Sequence, residues 1–374
     1  MKDYLVRGLV NSKNCRVFAC QTTNLLEKAR QEHDLWPTAS AALGRMMSAT
    51  LMMAAMNKNN EKMTVTINGG GPIGTMMAVT RGDGHIKGFV GDPHVHYTYN
   101  DTGHLAVGVA VGTQGTLQVI RDMGLKEPFC GTVPLQTGEI GDDFSYYFMA
   151  SEQTPSVVSV GVLVDETNEI LSSGGFIIQL LPEATEEDIS YIEEKIKDFP
   201  AVSSLIHEGK TPEEILKMIF DDVEITDRQD LFFTCDCSRE KMINALSTIG
   251  KQELQSMIDE DHGCEITCQF CNTKYQFSEE ELQKAANLPA MIYYGVNSDE
   301  AILMRMNNVP RSVAAEMGVE YKKDFDNVYK QSSYEIRQWI EGLSSDKWDA
   351  FAENKRGMSG SDYRAIWKVL NNES

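Results

Sequence analysis

Apolar and polar residues follow different periods in different parts of the chain. Residues 24–33 have helical spacing, and residues 38–56 are rich in Ala, Met and Leu with no breaker after Gly44, which predicts a buried helix. From Lys62 onward, short β-branched runs alternate with glycine-containing turns at intervals of about 8–12 residues, which predicts an antiparallel meander. Its predicted strands are residues 62–67, 75–79, 84–90, 94–99, 104–111 and 116–122.

A further helix around residues 142–153 and a strand pair, residues 157–164 and 169–180, complete this part of the chain. Pro182 marks the boundary that follows it. We therefore expect residues 1–182 to form an N-terminal α+β domain in which helices accompany an antiparallel sheet.

Residues 183–230 form an acidic segment with 15 acidic and 5 basic residues. Two helix starts in it carry capping boxes, Thr185 with Asp188 and Thr211 with Glu214. The apolar stripes of these helices are narrow, and the helices carry a large excess of negative charge. We therefore expect a helical linker that is marginally stable and needs a neighbour to stay folded. The stripes consist of Ile189, Ile192, Ile196 and Phe199, and of Ile215, Leu216, Ile219 and Phe220.

The rest of the chain has two parts. Residues 231–291 hold most of the cysteines, with predicted helices at residues 239–248 and 252–259 and a Cys-x-x-Cys turn before a short strand at 274–277. They predict a small separate domain. Residues 292–374 are helical in pattern and contain three of the four tryptophans, which predicts an all-α tail of unknown role. Candidate helix caps in this tail are Ser298, Ser332 and Ser345.

Charge and composition exclude several classes of protein. The chain has 374 residues, a net charge of −21 that repels phosphate backbones, and 42% apolar residues, enough for a folded core. No run approaches the ~18 apolar residues of a membrane span, and charged residues lie where a signal peptide would be apolar. We therefore expect a cytoplasmic protein that binds neither nucleic acid nor membranes and keeps its cysteines reduced.

Five of the eight cysteines lie between residues 235 and 271. Four of them form two short-spaced pairs, Cys235-x-Cys237 and Cys268-x-x-Cys271, with 30 residues between the pairs. Tetrahedral zinc takes four thiolates from two such pairs, so we predict one zinc ion bound by these four cysteines. Buried thiols without a metal are the alternative interpretation.

Zinc thiolates can also form a redox switch. Zinc holds each sulfur as a thiolate, the form that oxidants attack, so an oxidant could convert the cysteines to disulfides and expel the metal. Four cysteines allow three pairings, and proximity favours the two short-spaced pairs. Metal binding supplies folding free energy, with apparent values of ~10–16 kcal/mol in small zinc domains, so its loss should unfold a segment of this size. Cys264 and His262 lie close to the second pair and are interpreted as bystanders, with a role as alternative ligands left open.

Other motifs are interpreted as structural. Residues 69–74 contain Gly-x-Gly-x-x-Gly after a predicted strand, but Pro72 interrupts the loop and another strand follows, which argues against a dinucleotide site. His94 and His96 are interpreted as ordinary surface residues. The methionines of residues 46–56 are interpreted as core, the alternative being a promiscuous apolar binding surface. No nucleophilic triad, catalytic carboxylate pair or phosphate loop stands out, so we expect no enzyme.

Several short stretches match a known family in order. They are Asp3-Tyr4-Leu5-Val6-Arg7-Gly8, Ala41-Ala42-Leu43-Gly44-Arg45, Gly71-Pro72-Ile73-Gly74, Lys126-Glu127-Pro128-Phe129, Gly138-Glu139-Ile140, Ser151-Glu152-Gln153-Thr154-Pro155-Ser156 and Gly174-Gly175. With the four cysteines, they make residues 1 to about 290 resemble the 33 kDa chaperonin family, bacterial redox-regulated heat-shock holdases. The resemblance implies that Cys235, Cys237, Cys268 and Cys271 bind zinc in a reduced, inactive state. It also implies disulfides Cys235–Cys237 and Cys268–Cys271 after oxidation.

The resemblance further implies a sequence of events under oxidative stress. Zinc would be released, the linker at residues 183–230 would unfold, and the protein would dimerise and bind unfolded or oxidatively damaged client proteins without ATP. Residues 1–182 would then bind substrate and form the dimer, and residues 231–291 would be the zinc-binding redox switch. Two features depart from the family pattern. Cys264 is an additional thiol, and residues 292–374 extend beyond the usual end of the family.

Two other functions stay open from the sequence alone. A zinc-ribbon regulator of nucleic acid would use the four cysteines and a faint helix-turn-helix pattern at residues 310–319. However, the chain from Tyr293 onward has 11 basic and 13 acidic residues and no basic stripe, which favours a helical docking module. A thiol–disulfide oxidoreductase would use Cys268 and Cys271, but that motif usually opens a helix and here precedes a short strand.

Overall fold

The structure is a computed structural model, and it describes residues 2–57, 61–124, 128–246 and 251–287. The predicted tail, residues 292–374, lies outside the described residues together with its candidate caps. The described residues form an α+β fold with antiparallel sheets, as predicted. No helix among them is long and apolar enough to cross a membrane.

The chain divides into two compact units. The first comprises the residues up to Cys235 and the short segment Gln269–Asn272, and the second comprises Asp236–Cys268 and the described residues from Thr273 onward. The strands of the first unit are β1 (Tyr4–Val10), β2 (Cys15–Gln21), β3 (Lys62–Asn68), β4 (Met76–Thr80), β5 (His85–Val90), β6 (Thr116–Asp122), β7 (Phe129–Pro134), β8 (Ser156–Val164), β9 (Ile170–Leu180), β10 (Glu224–Asp230) and β11 (Phe232–Phe233). Its helices are α1 (Thr23–His33), α2 (Pro37–Ala54), α3 (Val107–Val111), α4 (Gly141–Ala150), α5 (Glu186–Lys197), α6 (Val202–His207) and α7 (Pro212–Ile219), with a 3-10 turn at Asn11–Lys13.

Two sheets organise the first unit. The five-stranded sheet has the order β10-β1-β2-β9-β8, and all its neighbouring strands are antiparallel. The six-stranded sheet has the order β11-β5-β4-β3-β6-β7, in which only the short β11 pairs in parallel, with β5. Strand β6 pairs with β3, so the second sheet is not the simple meander that the sequence predicted.

Two predicted strands are wrong. Residues 94–99 are irregular apart from one bridge between Thr98 and Leu105, and the predicted strand at 104–111 contains helix α3. In α3, Val107, Ala110 and Val111 are buried at helical spacing, so this β-branched run satisfies a helical pattern as well as a strand pattern. With these two strands absent, β6 follows β5 in the chain but pairs beside β3. Strand β7 was not predicted.

Helix α2 forms the centre of the first unit and packs against strands of both sheets. All its residues except Pro37 and Arg45 are buried. Its methionines Met46, Met47, Met52 and Met53 are 0% exposed and belong to the main apolar core, which confirms the core interpretation. Core packing of this kind fixes the two sheets around one helix.

The opposite face of the five-stranded sheet is covered by α5, α6 and α7. Apolar residues of these helices meet those of β1, β2 and β9 in a second core. Both predicted capping boxes are confirmed, because Thr185 accepts from the N–H of Asp188 and Thr211 accepts from the N–H of Glu214. The second core consists of Tyr4, Val6, Val10, Cys15, Val17, Ala19, Phe176, Ile178, Ile192, Val202, Leu205, Ile206, Ile215, Leu216, Ile219 and Phe220.

The described part of the second unit is small. Its elements are α8 (Arg239–Leu246), α9 (Lys251–Asp261), β12 (Gly263–Thr267), β13 (Lys274–Ser278) and α10 (Glu279–Asn287). Strands β12 and β13 pair as an antiparallel hairpin, and the predicted helices at residues 239–248 and 252–259 correspond to α8 and α9. Only five described residues form its buried core, namely Leu246, Leu254, Ile258, Phe277 and Leu282.

Candidate metal centre

Short backbone segments present the four predicted ligands. Cys235 follows β11, and Cys237 precedes the start of α8. Cys268 and Cys271 lie on the turn between β12 and β13, where the N–H of Cys268 donates to the carbonyl oxygen of Thr273 over 3.0 Å. The next residue after the turn, Asn272, has a left-handed φ of 53°, which lets the chain reverse tightly into β13.

The structure brings the four sulfurs together. The Sγ atoms of Cys235, Cys237, Cys268 and Cys271 all lie within 4.8 Å of one another. A tetrahedral zinc ion with Zn–S bonds of ~2.3 Å places its sulfurs about 3.8 Å apart, so a group of this size fits such an ion after small adjustments. Cys268 is buried and the other three are half-buried, which suits a closed site made only of thiolates.

Polar side chains hold the segment around Cys237 in place. The hydroxyl of Tyr275, on β13, lies 3.1 Å from Sγ of Cys237, within hydrogen-bonding distance of a sulfur. Arg239 donates to Glu281 over 2.7 Å and stacks over the ring of Phe277 at 4.6 Å. These contacts fix the start of α8 against β13 and α10. The sequence reasoning did not single out Tyr275, because its partner is 38 positions away in the chain.

Residues Gln269–Asn272 of the turn belong to the first unit and have partners within it. The carbonyl oxygen of Phe270 lies 3.1 Å from Nε2 of His33, and the side-chain amide of Asn272 donates to the carbonyl oxygen of Glu32 over 2.8 Å. The ring of Phe270 packs edge-on against Phe89 with centroids 5.2 Å apart. Burial lowers the pKa of His33, which favours its neutral imidazole. Three groups therefore position this turn: the imidazole of His33, the carbonyl oxygen of Glu32 and the ring of Phe89.

The other cysteines lie in different surroundings. Burial raises the pKa of Cys15 and of Cys20 to about 12, which keeps both as unreactive thiols, whereas Cys130 is exposed. Cys264 on β12 packs beside the small core of the second unit, and burial raises its pKa as well. His262 lies 2.7 Å from a carboxylate oxygen of Glu279. Neither Cys264 nor His262 belongs to the group of four sulfurs.

The glycine loop and the two histidines lie in turns and irregular segments of the first unit. The glycine loop of residues 69–74 joins β3 to β4, so no helix opens at its third glycine as a dinucleotide site requires. His94 lies in a turn, where its Nε2 is 3.0 Å from a carboxylate oxygen of Asp34. His96 is exposed in the same irregular segment.

Comparison with known proteins decides the family. The sequence model of the Hsp33 protein family matches residues 3–278. This chain belongs to the Hsp33 family. It is 47% identical over 285 residues to the 33 kDa chaperonin of Oceanobacillus iheyensis, covering 76% of this chain and 99% of that one. It is 49% identical over 284 residues to the 33 kDa chaperonin of Staphylococcus carnosus, covering 75% and 97%.

A solved structure of an Hsp33 relative has the same fold. The crystal structure of the 33 kDa chaperonin from Thermotoga maritima matches with a TM-score of 0.71 and 35% identity, covering 76% of this chain and 98% of that one. The chain is therefore assigned to a family of chaperones, which implies that it binds client proteins. The match with the family model ends before residue 292, so the predicted tail lies outside it.

Proposed function

We propose that this protein is a redox-regulated, ATP-independent holdase that protects unfolding proteins from aggregation under oxidative stress. The single observation that supports this most strongly is the group of four sulfurs within 4.8 Å in a member of the Hsp33 family. In the reduced, inactive state, Cys235, Cys237, Cys268 and Cys271 would hold one zinc ion. The ion would keep the sulfurs as thiolates at neutral pH and cross-link a unit whose own apolar core is small.

Oxidation would convert the thiols to the disulfides Cys235–Cys237 and Cys268–Cys271. With hydrogen peroxide, two thiolates and two protons give one disulfide and two water molecules. The O–O bond of peroxide breaks, the S–S bond forms, and two electrons pass from sulfur to oxygen. Each disulfide removes two thiolates from the metal site, so zinc would leave when the disulfides form.

The acidic linker, residues 183–230, would then unfold. Its helices cover the five-stranded sheet through an apolar stripe and otherwise face solvent, which agrees with a cover of low stability. Unfolding would expose apolar residues of β1, β2 and β9 for client proteins. We further propose that the oxidised protein is a homodimer and that it works in the cytoplasm.

Zinc content, free thiols and client aggregation together test this function. Treatment with hypochlorite, or with peroxide and heat, should release zinc, lower the free thiols from eight to four, and suppress light scattering by a heat-denatured client. Oxidation that neither releases zinc nor raises this suppression would refute the proposal.

Two cysteine variants provide a matched control. Cys268→Ser removes one of the four clustered sulfurs and should abolish stoichiometric zinc binding. Cys264→Ser changes a neighbouring thiol outside the cluster and should retain both zinc and the response to oxidant. Loss of zinc from Cys264→Ser would instead make Cys264 a ligand.

A further inference from the structure

Strand β10 is an edge strand of unusual composition. It forms the outer edge of the five-stranded sheet, and β1 is its only partner among the described strands, from Tyr4 opposite Asp230 to Leu9 opposite Glu224. None of its seven residues is buried, and four of them are charged. Residues of this kind are poor formers of β-strands, so its sequence contributes little to its own pairing.

Few side-chain contacts hold β10 in place. Lys2 pairs with Asp230 and Arg7 pairs with Asp227, and in both ion pairs the side chains are between 39% and 66% exposed. Ion pairs this exposed stabilise a fold only slightly. The guanidinium of Arg228 lies 3.7 Å from the ring centre of Tyr4. Gln229 also donates to the carbonyl oxygen of Gly82 over 2.8 Å, and Ile225 packs against the second core, so β10 is attached by its main-chain hydrogen bonds to β1 and by this small set of side-chain contacts.

Strand β1 is held much more firmly than its outer neighbour. It pairs with β2 along its whole length, and Tyr4, Leu5, Val6 and Val10 are buried in the two cores on either face of the sheet. It can therefore stay in the sheet when β10 leaves. Its outer edge would then present unpaired N–H and C=O groups, which readily add another strand.

The hydrogen bonds identify the groups at that edge. The carbonyl oxygen of Asp3 accepts from the N–H of Leu231, and the carbonyl oxygen of Arg7 accepts from the hydroxyl of Thr226. Since backbone groups alternate in direction along an antiparallel strand, those of Leu5 also face β10, whereas those of Val6 face β2.

We infer that, in the active protein, this edge of β1 binds an extended segment of an unfolded client by antiparallel strand addition, in the place that β10 leaves. The inference rests on the proposed unfolding of residues 183–230. Main-chain pairing recognises no particular sequence, which suits a protein that holds many clients. Lys2 and Arg7 lose their acidic partners when β10 leaves, so segments with acidic or neutral side chains opposite them should bind best.

Residue-resolved amide hydrogen exchange of the full-length protein tests the inference. The states compared are reduced, oxidised, and oxidised with reduced, carboxymethylated α-lactalbumin, an unfolded client without free thiols. The amides of Leu5 and Arg7 should exchange about tenfold faster or more after oxidation, and should slow again when the client binds. The amide of Val6 should exchange slowly in all three states, and the amides of residues 224–230 should still exchange rapidly in the client complex.

The outcomes separate the inference from the proposed function. One outcome is that amide exchange at residues 224–230 rises on oxidation while exchange at Leu5 and Arg7 is not slowed by the client. Strand addition is then wrong, and release of the linker stands. If residues 224–230 stay protected in oxidised protein that suppresses aggregation, both release and strand addition are wrong.

A substitution at Gly8 can open the same edge without oxidant. A Cβ at Gly8 would lie 2.6 Å from the carbonyl oxygen of Glu224, and its nearest neighbours all belong to β10. Gly8→Ala should therefore displace β10 and raise amide exchange at Leu5 and Arg7 in the reduced protein. Addition of the client should then slow the exchange of these two amides. Leu9→Ala, a change at the next and exposed residue, should leave β10 in place. A Gly8→Ala protein whose opened edge gains no protection from client would also overturn the inference.

Discussion

The two faces of the five-stranded sheet are covered by helices of different kinds. On one face, α2 is buried along nearly its whole length, and its only charged residue, Arg45, pairs with Glu139 over 2.6 Å. On the other face, α5 buries only Asp188 and Ile192 and exposes a run of acidic residues. The same sheet therefore has one cover that is buried along nearly its whole length and one that combines the half-buried helices α6 and α7 with the largely solvated helix α5.

The difference indicates how part of the molecule can open without the rest. Removing α2 would expose the main core between the two sheets, whereas removing α5–α7 would expose one sheet face and leave that core intact. The second unit should be less stable still, because its described residues form a core of only five buried side chains and four clustered thiols lie beside its hairpin. Stability should therefore fall from α2 to α5–α7 to the metal-free second unit.

The largest expected effect comes from removing the metal. A high-affinity zinc chelator under reducing conditions should unfold α8–α10 and the β12–β13 hairpin while α2 keeps its protection. The physical reason is that zinc binding supplies ~10–16 kcal/mol of apparent folding free energy in domains of this size. Amide hydrogen exchange with mass spectrometry measures both regions in one experiment. Cys271→Ser should reproduce the effect and the exposed Cys130→Ser should not. Protection of α8–α10 in zinc-free protein would show that the small core suffices.

A matched pair of leucines compares the two covers directly. Leu43 on α2 and Leu216 on α7 are both 0% exposed, so Leu→Ala at either site should lower the free energy of unfolding by ~2–5 kcal/mol. The consequences should differ in extent. Leu216→Ala should raise hydrogen exchange most in α5–α7 and β10, whereas Leu43→Ala should raise it to a similar extent across both sheets and lower the melting temperature of the whole unit. Equal, global loss of protection in both variants would mean that the two covers unfold together.

The sequence predicted those features that depend on neighbours in the chain. The capping boxes at Thr185 and Thr211 need only residues three positions apart, and the cysteine spacing needs only the chemistry of zinc. Residues 107–111 were predicted wrongly because their apolar pattern fits both a helix and a strand. The buried surroundings decide which of the two forms. The contacts of Tyr275 with Cys237 and of His33 with Phe270 join residues 38 and 237 positions apart. Only the tertiary fold could show them.

A smaller effect is expected at the helix caps of the cover formed by α5–α7. The hydroxyl of Thr211 accepts from the N–H of Glu214 over 3.2 Å, and Glu214 in turn accepts from the N–H of Thr211 over 2.8 Å. Thr211→Ala removes the first of these bonds and should destabilise α7 by ~1 kcal/mol. Local hydrogen exchange of α5–α7 should rise while that of α2 is unchanged. Thr211→Ser retains the hydroxyl and should restore the protection; a defect of equal size in both variants would exclude capping as the cause.

The smallest effect is expected from pH, through the capping carboxylates of α5 and α7. Backbone hydrogen bonds from Thr185 and Thr211 hold the pKa of Asp188 and of Glu214 below their ordinary values of 3.8 and 4.5, helped by Lys13 near Asp188 and by Lys210 and Lys217 near Glu214. A carboxyl whose pKa is lower in the folded state stabilises that state above its unfolded pKa. This contribution disappears as the pH falls through the folded pKa. Exchange in α5–α7, corrected for the intrinsic rate, should therefore increase below about pH 4.5. Glu214→Gln should flatten part of this dependence. An identical pH profile in wild type and Glu214→Gln would mean that the capping carboxylate of α7 does not link the stability of this cover to pH.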